Sequence, residues 1–181
     1  MRKGIAVTIM ITLLVVIIGG FIGYKALSKK VEVPVEKKEG IPALYDPINV
    51  KDVSGNDVQL TFEGNEKPVF INFFATWCDF CVDELPYIQK AYERYGDRID
   101  FMIVDLTDGS EETVQKVEEF MEENGYTFPV YYDIYYEGME TFGATSIPLT
   151  VCIDREGYEA FKSKGELTED KIDSLMEMLT E

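Results

Sequence analysis

The sequence contains no histidine among its 181 residues. Ser-His and Cys-His catalysis need an imidazole as general base, and many zinc and copper sites use one as a ligand. The absence therefore excludes both kinds of enzyme and every histidine-containing metal site.

Cysteine is also scarce, with three residues at positions 78, 81 and 152. Three thiols are too few for a small scaffold held together by disulfides. Cys78 and Cys81 form a CxxC pair, and Cys152 is the odd thiol. We expect Cys152 to be buried and inert, with a resolving or dimer-forming role as the alternative.

Basic side chains are few, 17 against 34 acidic ones, which gives a net charge of −17. The first 30 residues hold five basic and no acidic residues, so the rest of the chain is more acidic still. Such a surface repels phosphates and excludes nucleic-acid binding. The simplest interpretation is a solubilising surface, and attraction of a basic partner is the alternative.

Charge is absent altogether from residues 4–24, a run of 21 residues. As a helix this run spans about 30 Å, the thickness of the bilayer interior. It is longer than a signal-peptide core of about 7–15 residues, and no A-x-A cleavage site follows, so we expect an uncleaved anchor over residues 1–27 rather than a cleaved signal.

The remaining chain divides into a linker and one domain. Residues 28–42 mix charges with prolines and lack a core-forming period, as a tether does. Basic residues flank the anchor on both sides, so the positive-inside count does not fix its orientation. A short tail inside and an exported domain, residues 43–181, is the simpler topology.

Apolar periodicity in this domain alternates between strands and helices. Residues 46–62 predict a hairpin, followed by strands over 68–74, 100–106 and 128–133 with helices between them. A helix carries Cys81 and contains Pro86, which should kink it. The next is expected to begin at a Ser110 cap. A short helical turn, a second hairpin around Gly157 and a helix opened by Thr168 complete a mixed α/β sheet flanked by helices.

The CxxC pair allows three interpretations. Structural zinc needs four ligands, and the sequence offers neither a second CxxC nor histidine. A structural disulfide across so small a loop removes little entropy from the unfolded chain. Redox exchange is favoured, because the pair lies where a buried strand meets a helix, and the helix N-terminus stabilises a Cys78 thiolate. Cys78 would attack a target disulfide and Cys81 would resolve the intermediate.

The stretches "FINFFATWCDFC" and "ATSIPLTVCID" resemble the thioredoxin superfamily, and with the anchor they are similar to its membrane-anchored TlpA/ResA-type branch. The resemblance covers residues 43–181. It implies a thioredoxin-like fold with an N-terminal β-hairpin and an inserted strand–helix element. It also implies a cis bond between Ile147 and Pro148 facing the cysteines. Trp77 would shield the thiols and, with these two residues, dock substrate, simple packing being the alternative.

The resemblance also gives Glu84 a role, since the branch has a glutamate three residues after the second cysteine. At that spacing Glu84 shares a helix face with Cys81 and would relay its proton. An exposed helix carboxylate is the alternative. Phe80 stands where proline is usual, and Asp79 follows the first cysteine, so the reduction potential is open to change.

These features predict a membrane-anchored, extracytoplasmic thiol–disulfide oxidoreductase that needs no cofactor beyond the Cys78–Cys81 disulfide. Its partners would be protein disulfides and a membrane electron donor. Reduction is favoured over oxidation, and the family's targets include apocytochrome c thiols. Thiol oxidation is the first alternative, and a non-catalytic tethered binding module is the second. A peroxidase is disfavoured, because the chain lacks that family's motif around its reactive cysteine.

Overall fold

A computed structural model describes residues 45–62 and 64–181. The predicted anchor and linker, residues 1–27 and 28–42, lie outside this part of the chain. Within the described residues no helix is both long and apolar enough to cross a membrane.

Seven strands and four helices form the described domain. The strands are β1 (Ile48–Lys51), β2 (Asp57–Leu60), β3 (Val69–Phe74), β4 (Asp100–Asp105), β5 (Val130–Tyr132), β6 (Leu149–Ile153) and β7 (Glu159–Lys164). The helices are α1 (Asp79–Tyr95), α2 (Val114–Asn124), α3 (Glu137–Thr141) and α4 (Glu169–Thr180). The order hairpin, β-α-β-α-β, hairpin and helix confirms the sequence prediction.

The strands make one mixed sheet in the order β2-β1-β5-β4-β3-β6-β7. β3 lies at its centre, fully buried and parallel to β4, as its continuous apolar run predicts. β6 pairs with β3 in the antiparallel sense, with Phe73 opposite Leu149. This register brings the beginning of β6 beside the end of β3, where the CxxC segment starts.

Alternation along β3 divides the core between the two sheet faces. Phe70 and Phe74 belong to the cluster that contains the buried residues of α1, α2 and α4. Ile71 and Phe73 belong to the opposite cluster, which includes Phe142 just after α3. Asn72 shares the α1 face with Phe70 and Phe74, a polar residue with no exposed surface.

One local expectation about the helices is corrected. α1 runs through Pro86 without ending, and the kink expected there stays a prediction. α2 begins at a Thr113 cap, whose hydroxyl accepts from the Lys116 amide at 3.3 Å, and not at Ser110. Asp108 explains the difference, because its carboxylate accepts from the backbone N–H groups of residues 110, 111 and 112 and holds them in a turn.

Candidate functional site

The CxxC segment leaves the carboxyl end of β3 and enters α1. Open α/β sheets form their sites at this end of parallel strands, where loops gather around helix N-termini. Cys78 is the N-cap of α1, and its Sγ accepts from the Cys81 backbone N–H at 3.3 Å. This contact and the helix dipole are the features that stabilise a thiolate.

Cys78 and Cys81 are joined by a disulfide, with their Cα atoms 5.2 Å apart. The two sulfur-bearing residues differ in accessibility. Cys78 keeps 8% of its surface exposed, whereas Cys81 has none. An incoming disulfide can therefore reach only the first of the two, the asymmetry that sequential attack and resolution require.

Aromatic side chains around the pair are unusually exposed. Trp77 is 59% exposed and Phe80 is 64% exposed, one on each side of Cys78. Burial in the core does not account for either residue, so the packing interpretation of Trp77 fails. Two large apolar surfaces beside a reactive thiol are what a transient protein contact uses.

The Ile147–Pro148 peptide bond is cis, as the resemblance implies. Pro148 is buried and directly precedes β6, and Ile147 is half-buried against both core clusters. Because Leu149 pairs with Phe73, this dipeptide lies next to the end of β3. It therefore borders the segment that leads to Cys78.

Glu84 is fully buried on α1, so the interpretation as an exposed helix carboxylate is wrong. Its Oε1 accepts from Asn72 Nδ2 at 2.7 Å, and its Oε2 accepts from the Leu167 backbone N–H at 2.6 Å. Asn72 also donates to Thr150 Oγ1 at 3.0 Å. The carboxyl thus joins α1, β3 and the segment before α4, on the helix face that carries Cys81.

Burial raises the pKa of Glu84 from 4.5 to about 7, and the nearby charge of Glu166 acts in the same direction. The bonds from Leu167 and Asn72 favour the ionised form and limit the rise. A carboxyl with a pKa near neutrality can both accept and release a proton under physiological conditions.

Cys152 is a free thiol on β6 with no exposed surface. It pairs in register with Phe70 within the α1-side core. Burial raises the pKa of this thiol far above its usual range, which suppresses the nucleophilic thiolate. These properties agree with the expectation of an inert core residue.

Three residues near the site were not singled out from the sequence: Thr76, Asp105 and Glu112. Asp105 is the last residue of β4, which is parallel to β3. Because the carboxyl ends of neighbouring parallel strands share one edge of the sheet, the sequence could have predicted that Asp105 lies near the CxxC segment. Glu112 gave no such signal, because it reaches Thr76 only through the path of a loop. Among the described residues, no group of acidic or thiol side chains is arranged to hold a metal ion.

Comparison with known proteins agrees with this geometry. The family model described as Redoxin matches residues 37–179. The thiol-disulfide oxidoreductase ResA of Bacillus cereus is 29% identical over 160 residues, covering 87% of this chain and 84% of its own length. The sporulation thiol-disulfide oxidoreductase A of Bacillus subtilis is 30% identical over 139 residues, covering 76% and 80%.

Solved structures give the same result. StoA from Bacillus subtilis superposes with a TM-score of 0.61 at 26% identity, covering 75% of this chain and 98% of its own. The exposed lipoprotein thioredoxin of Streptococcus pneumoniae gives 0.62 at 25% identity, covering 74% and 100%. Three observations lead to the same family: the thioredoxin-like fold, the CxxC pair at the beginning of a helix, and the similarity to these relatives. The chain belongs to the redoxin family, as a thiol–disulfide oxidoreductase of the ResA/StoA type.

Proposed function

We propose that the protein is a membrane-anchored, extracytoplasmic reductase of protein disulfides. The observation that carries the proposal is the asymmetry of the cysteine pair. Cys78 is partly accessible at a helix N-terminus, whereas Cys81 is fully buried on the same helix face as a buried carboxyl, Glu84. Such a pair suits an ordered exchange, in which one thiol meets the substrate and the other closes the reaction.

In the proposed cycle the reduced Cys78 thiolate attacks one sulfur of a substrate disulfide. A mixed disulfide forms, and the other substrate sulfur leaves as a thiolate. The Cys81 thiolate then attacks Cys78 Sγ, which releases the second substrate thiolate and restores the Cys78–Cys81 disulfide. Two electrons pass to the substrate, whose two thiolates take up two protons.

Glu84 is assigned the role of the base that accepts the proton of the Cys81 thiol and later returns it. A buried thiol ionises poorly, so its attack on Cys78 needs a nearby base. Glu84 lies one helical turn from Cys81 and has a pKa near 7. Ionised, it accepts the Cys81 proton before resolution, and it returns the proton when the dithiol is regenerated.

Trp77, Ile147 and Pro148 are assigned to substrate docking. The exposed indole of Trp77 supplies apolar area beside Cys78, and the Ile147–Pro148 dipeptide borders the segment on the β6 side. Phe80 extends the exposed apolar area where the family has proline. A docked peptide would hold its disulfide against the accessible sulfur.

The membrane location rests on the uncharged run over residues 4–24, and the exposed lipoprotein among the relatives supports an extracytoplasmic domain. Each turnover oxidises the pair, so a reductase outside the cytoplasm needs an electron donor that crosses or lies in the membrane. Apocytochrome c thiols are one target class that fits the family resemblance.

The reduction potential of the pair tests the direction of electron flow. We would titrate the full-length protein in detergent against a dithiol buffer at neutral pH. A potential of about −270 mV, as in thioredoxin, is expected for a reductase. A value between about −180 and −120 mV belongs to isomerases and oxidases, and would reverse the proposed direction.

A paired substitution tests whether the chain acts by turnover. Cys78→Ser with Cys81→Ser should abolish reduction of a protein disulfide, whereas Cys152→Ser should leave the rate unchanged because that thiol is buried and ionises poorly. A tethered binding module would keep its function without either active-site thiol. Peroxide consumption in the absence of a protein disulfide would instead indicate a peroxidase.

A further inference from the structure

A second buried carboxyl cluster contacts the chain just before the CxxC pair and shares no hydrogen-bond partner with Glu84 among the described residues. It consists of Asp105, the last residue of β4, and Glu112, in the loop between β4 and α2. Neither side chain has exposed surface. Burying carboxyls is costly unless their oxygens are paired, so their contacts show what the cluster does.

Glu112 binds the segment that leads into the active site. Its Oε1 accepts from the backbone N–H of Thr76, and its Oε2 accepts from the Thr76 hydroxyl at 2.7 Å. Lys116 donates to the same Oε2 at 3.0 Å. Thr76 directly precedes Trp77 and Cys78, so one carboxylate holds the chain at the point where it enters the redox site.

Asp105 lies close enough to Glu112 for the two carboxyl groups to interact, and among the described residues only one of its two oxygens has a hydrogen-bond donor. Its Oδ1 accepts from the Thr107 hydroxyl at 2.6 Å. Among the described residues nothing donates to its buried Oδ2. A proton on Asp105 removes the deficit, because the acid can then donate to the Glu112 carboxylate. It also removes the repulsion between two adjacent buried charges.

The surroundings favour that proton. The pKa of Asp105 is raised to about 8, first by burial and then by the Glu112 carboxylate, which acts as a charge and as a hydrogen-bond partner. The Thr107 hydroxyl and the Lys116 ammonium on α2 oppose the rise. Other titratable groups of the described residues near Asp105 include Tyr132 at the end of β5, Asp133 directly after it, and Tyr136 before α3.

We propose that Asp105 and Glu112 form a proton-sharing carboxyl pair that positions Trp77 and Cys78, with Glu112 as the positioning residue and Asp105 as the holder of the proton. The neutral acid keeps a single negative charge in the pair, which Lys116 balances. When Asp105 ionises, the second charge repels Glu112 and weakens its hold on Thr76. The inference rests on dithiol exchange at Cys78, but not on the direction of electron flow.

The test is the alkylation rate of Cys78 in the reduced full-length protein in detergent, followed by peptide mass spectrometry from pH 5 to about 10. This readout needs no protein substrate and no electron donor, so it is independent of the proposed reductase direction. The variants are Glu112→Gln and Asp105→Asn. The matched control is Glu111→Gln, an exposed neighbour that lacks the Thr76 contacts.

Glu112→Gln should slow alkylation at neutral pH by roughly tenfold, because a charge-assisted bond to Thr76 is lost. A carboxylate that acted on Cys78 only through its charge would have the opposite effect, since its removal would favour the thiolate. An unchanged or faster rate would overturn the proposal. The rate of Glu111→Gln should stay at the wild-type value.

Asp105→Asn should keep the neutral-pH rate, because the amide can donate to Glu112 as the neutral acid does. It should also remove the drop in rate above about pH 8 that ionisation of Asp105 gives the wild type, while the rise that follows ionisation of the Cys78 thiol remains. A drop above about pH 8 that survives in Asp105→Asn would contradict the proposed proton holder. Should Glu112→Gln fail to fold, Thr76→Val decides the matter, since losing its hydroxyl bond should slow alkylation about three- to tenfold.

Discussion

Glu84 shows how surroundings can give an ordinary residue type a specific chemical role. Three other carboxylates lie on α1, and two of these, Asp79 and Asp83, are exposed near the cysteines. Glu84 differs because its place on the helix turns it toward β3 and the segment before α4, where Asn72 and Leu167 bind it. Burial then raises its pKa to about 7.

Glu84→Gln should slow the resolution of the mixed disulfide by roughly 10- to 100-fold, since the Cys81 proton loses its acceptor. The wild-type rate should rise as pH passes about 7, where Glu84 becomes ionised, and the variant should lose this rise. Stopped-flow reduction of a small protein disulfide across pH 5–9 measures both effects.

Asp83→Asn provides the matched control, because Asp83 is the exposed neighbour of Glu84 on the same helix. Its pH profile should superpose on that of the wild type. If the inflection near neutrality persisted in Glu84→Gln, another group would have to carry the proton.

At the level of elements, the sequence predicted best what local pattern controls. The buried run of β3, the apolar face of α1 and the Thr168 cap of α4 are read directly from neighbouring residues, and the structure confirms them. The predicted beginning of α2 was wrong because the Asp108 carboxylate binds the backbone amides of residues 110, 111 and 112 and holds them in a turn where the helix was expected to begin. A competing side-chain turn of this kind is hard to weigh from sequence.

The residues of the site also divide into those that the sequence predicted and those that it did not. Cys78 and Cys81 were evident from their spacing, and Glu84 and Pro148 from the family resemblance. Glu112 was missed because its partner Thr76 is 36 residues away along the chain, and only the path of the β4–α2 loop brings the two together. Contacts between distant loops have no periodicity for a sequence analysis to detect.

α3 makes a sharp prediction about close packing. A Cβ added at Gly138 would lie 2.5 Å from Phe73 Cε1 and 2.9 Å from Asp133 Oδ2. Gly138→Ala should therefore lower the free energy of unfolding by about 1–3 kcal/mol, because Phe73 is a buried residue of the central strand. Urea unfolding followed by circular dichroism measures the loss.

Glu140→Ala is the control for α3, since Glu140 is exposed on the same short helix. Its effect should stay within about 0.5 kcal/mol of the wild type. Equal losses in the two variants would mean that α3 is sensitive to any change, and that the contact with Phe73 is not the cause.

For the whole molecule, the two buried acids link stability to pH. Glu84 and Asp105 have folded-state pKa values of about 7 and about 8, against ordinary values of 4.5 and 3.8. Between these limits the folded protein binds more protons than the unfolded chain. The free energy of unfolding should therefore fall as pH rises from about 4 to about 8. Raised pKa values of this size imply a total loss of a few kcal/mol.

Urea midpoints at pH 5, 6.5 and 8 test this dependence, with the lowest midpoint expected at pH 8. The double variant Glu84→Gln, Asp105→Asn should flatten the profile, since neither amide titrates. A wild-type midpoint that rose toward pH 8 would show that the two acids are ionised in the folded domain.

The sheet order leaves β2 and β7 as the outermost strands of the described sheet. N–H and C=O groups that have no partner on a border strand can template the addition of another chain, the first step of fibril growth. β2 has only four residues and carries exposed Asp57, and β7 carries Lys162 and Lys164. Short length and charge on these borders disfavour edge-to-edge pairing of one described domain with the next, and so disfavour growth of the sheet into a fibril.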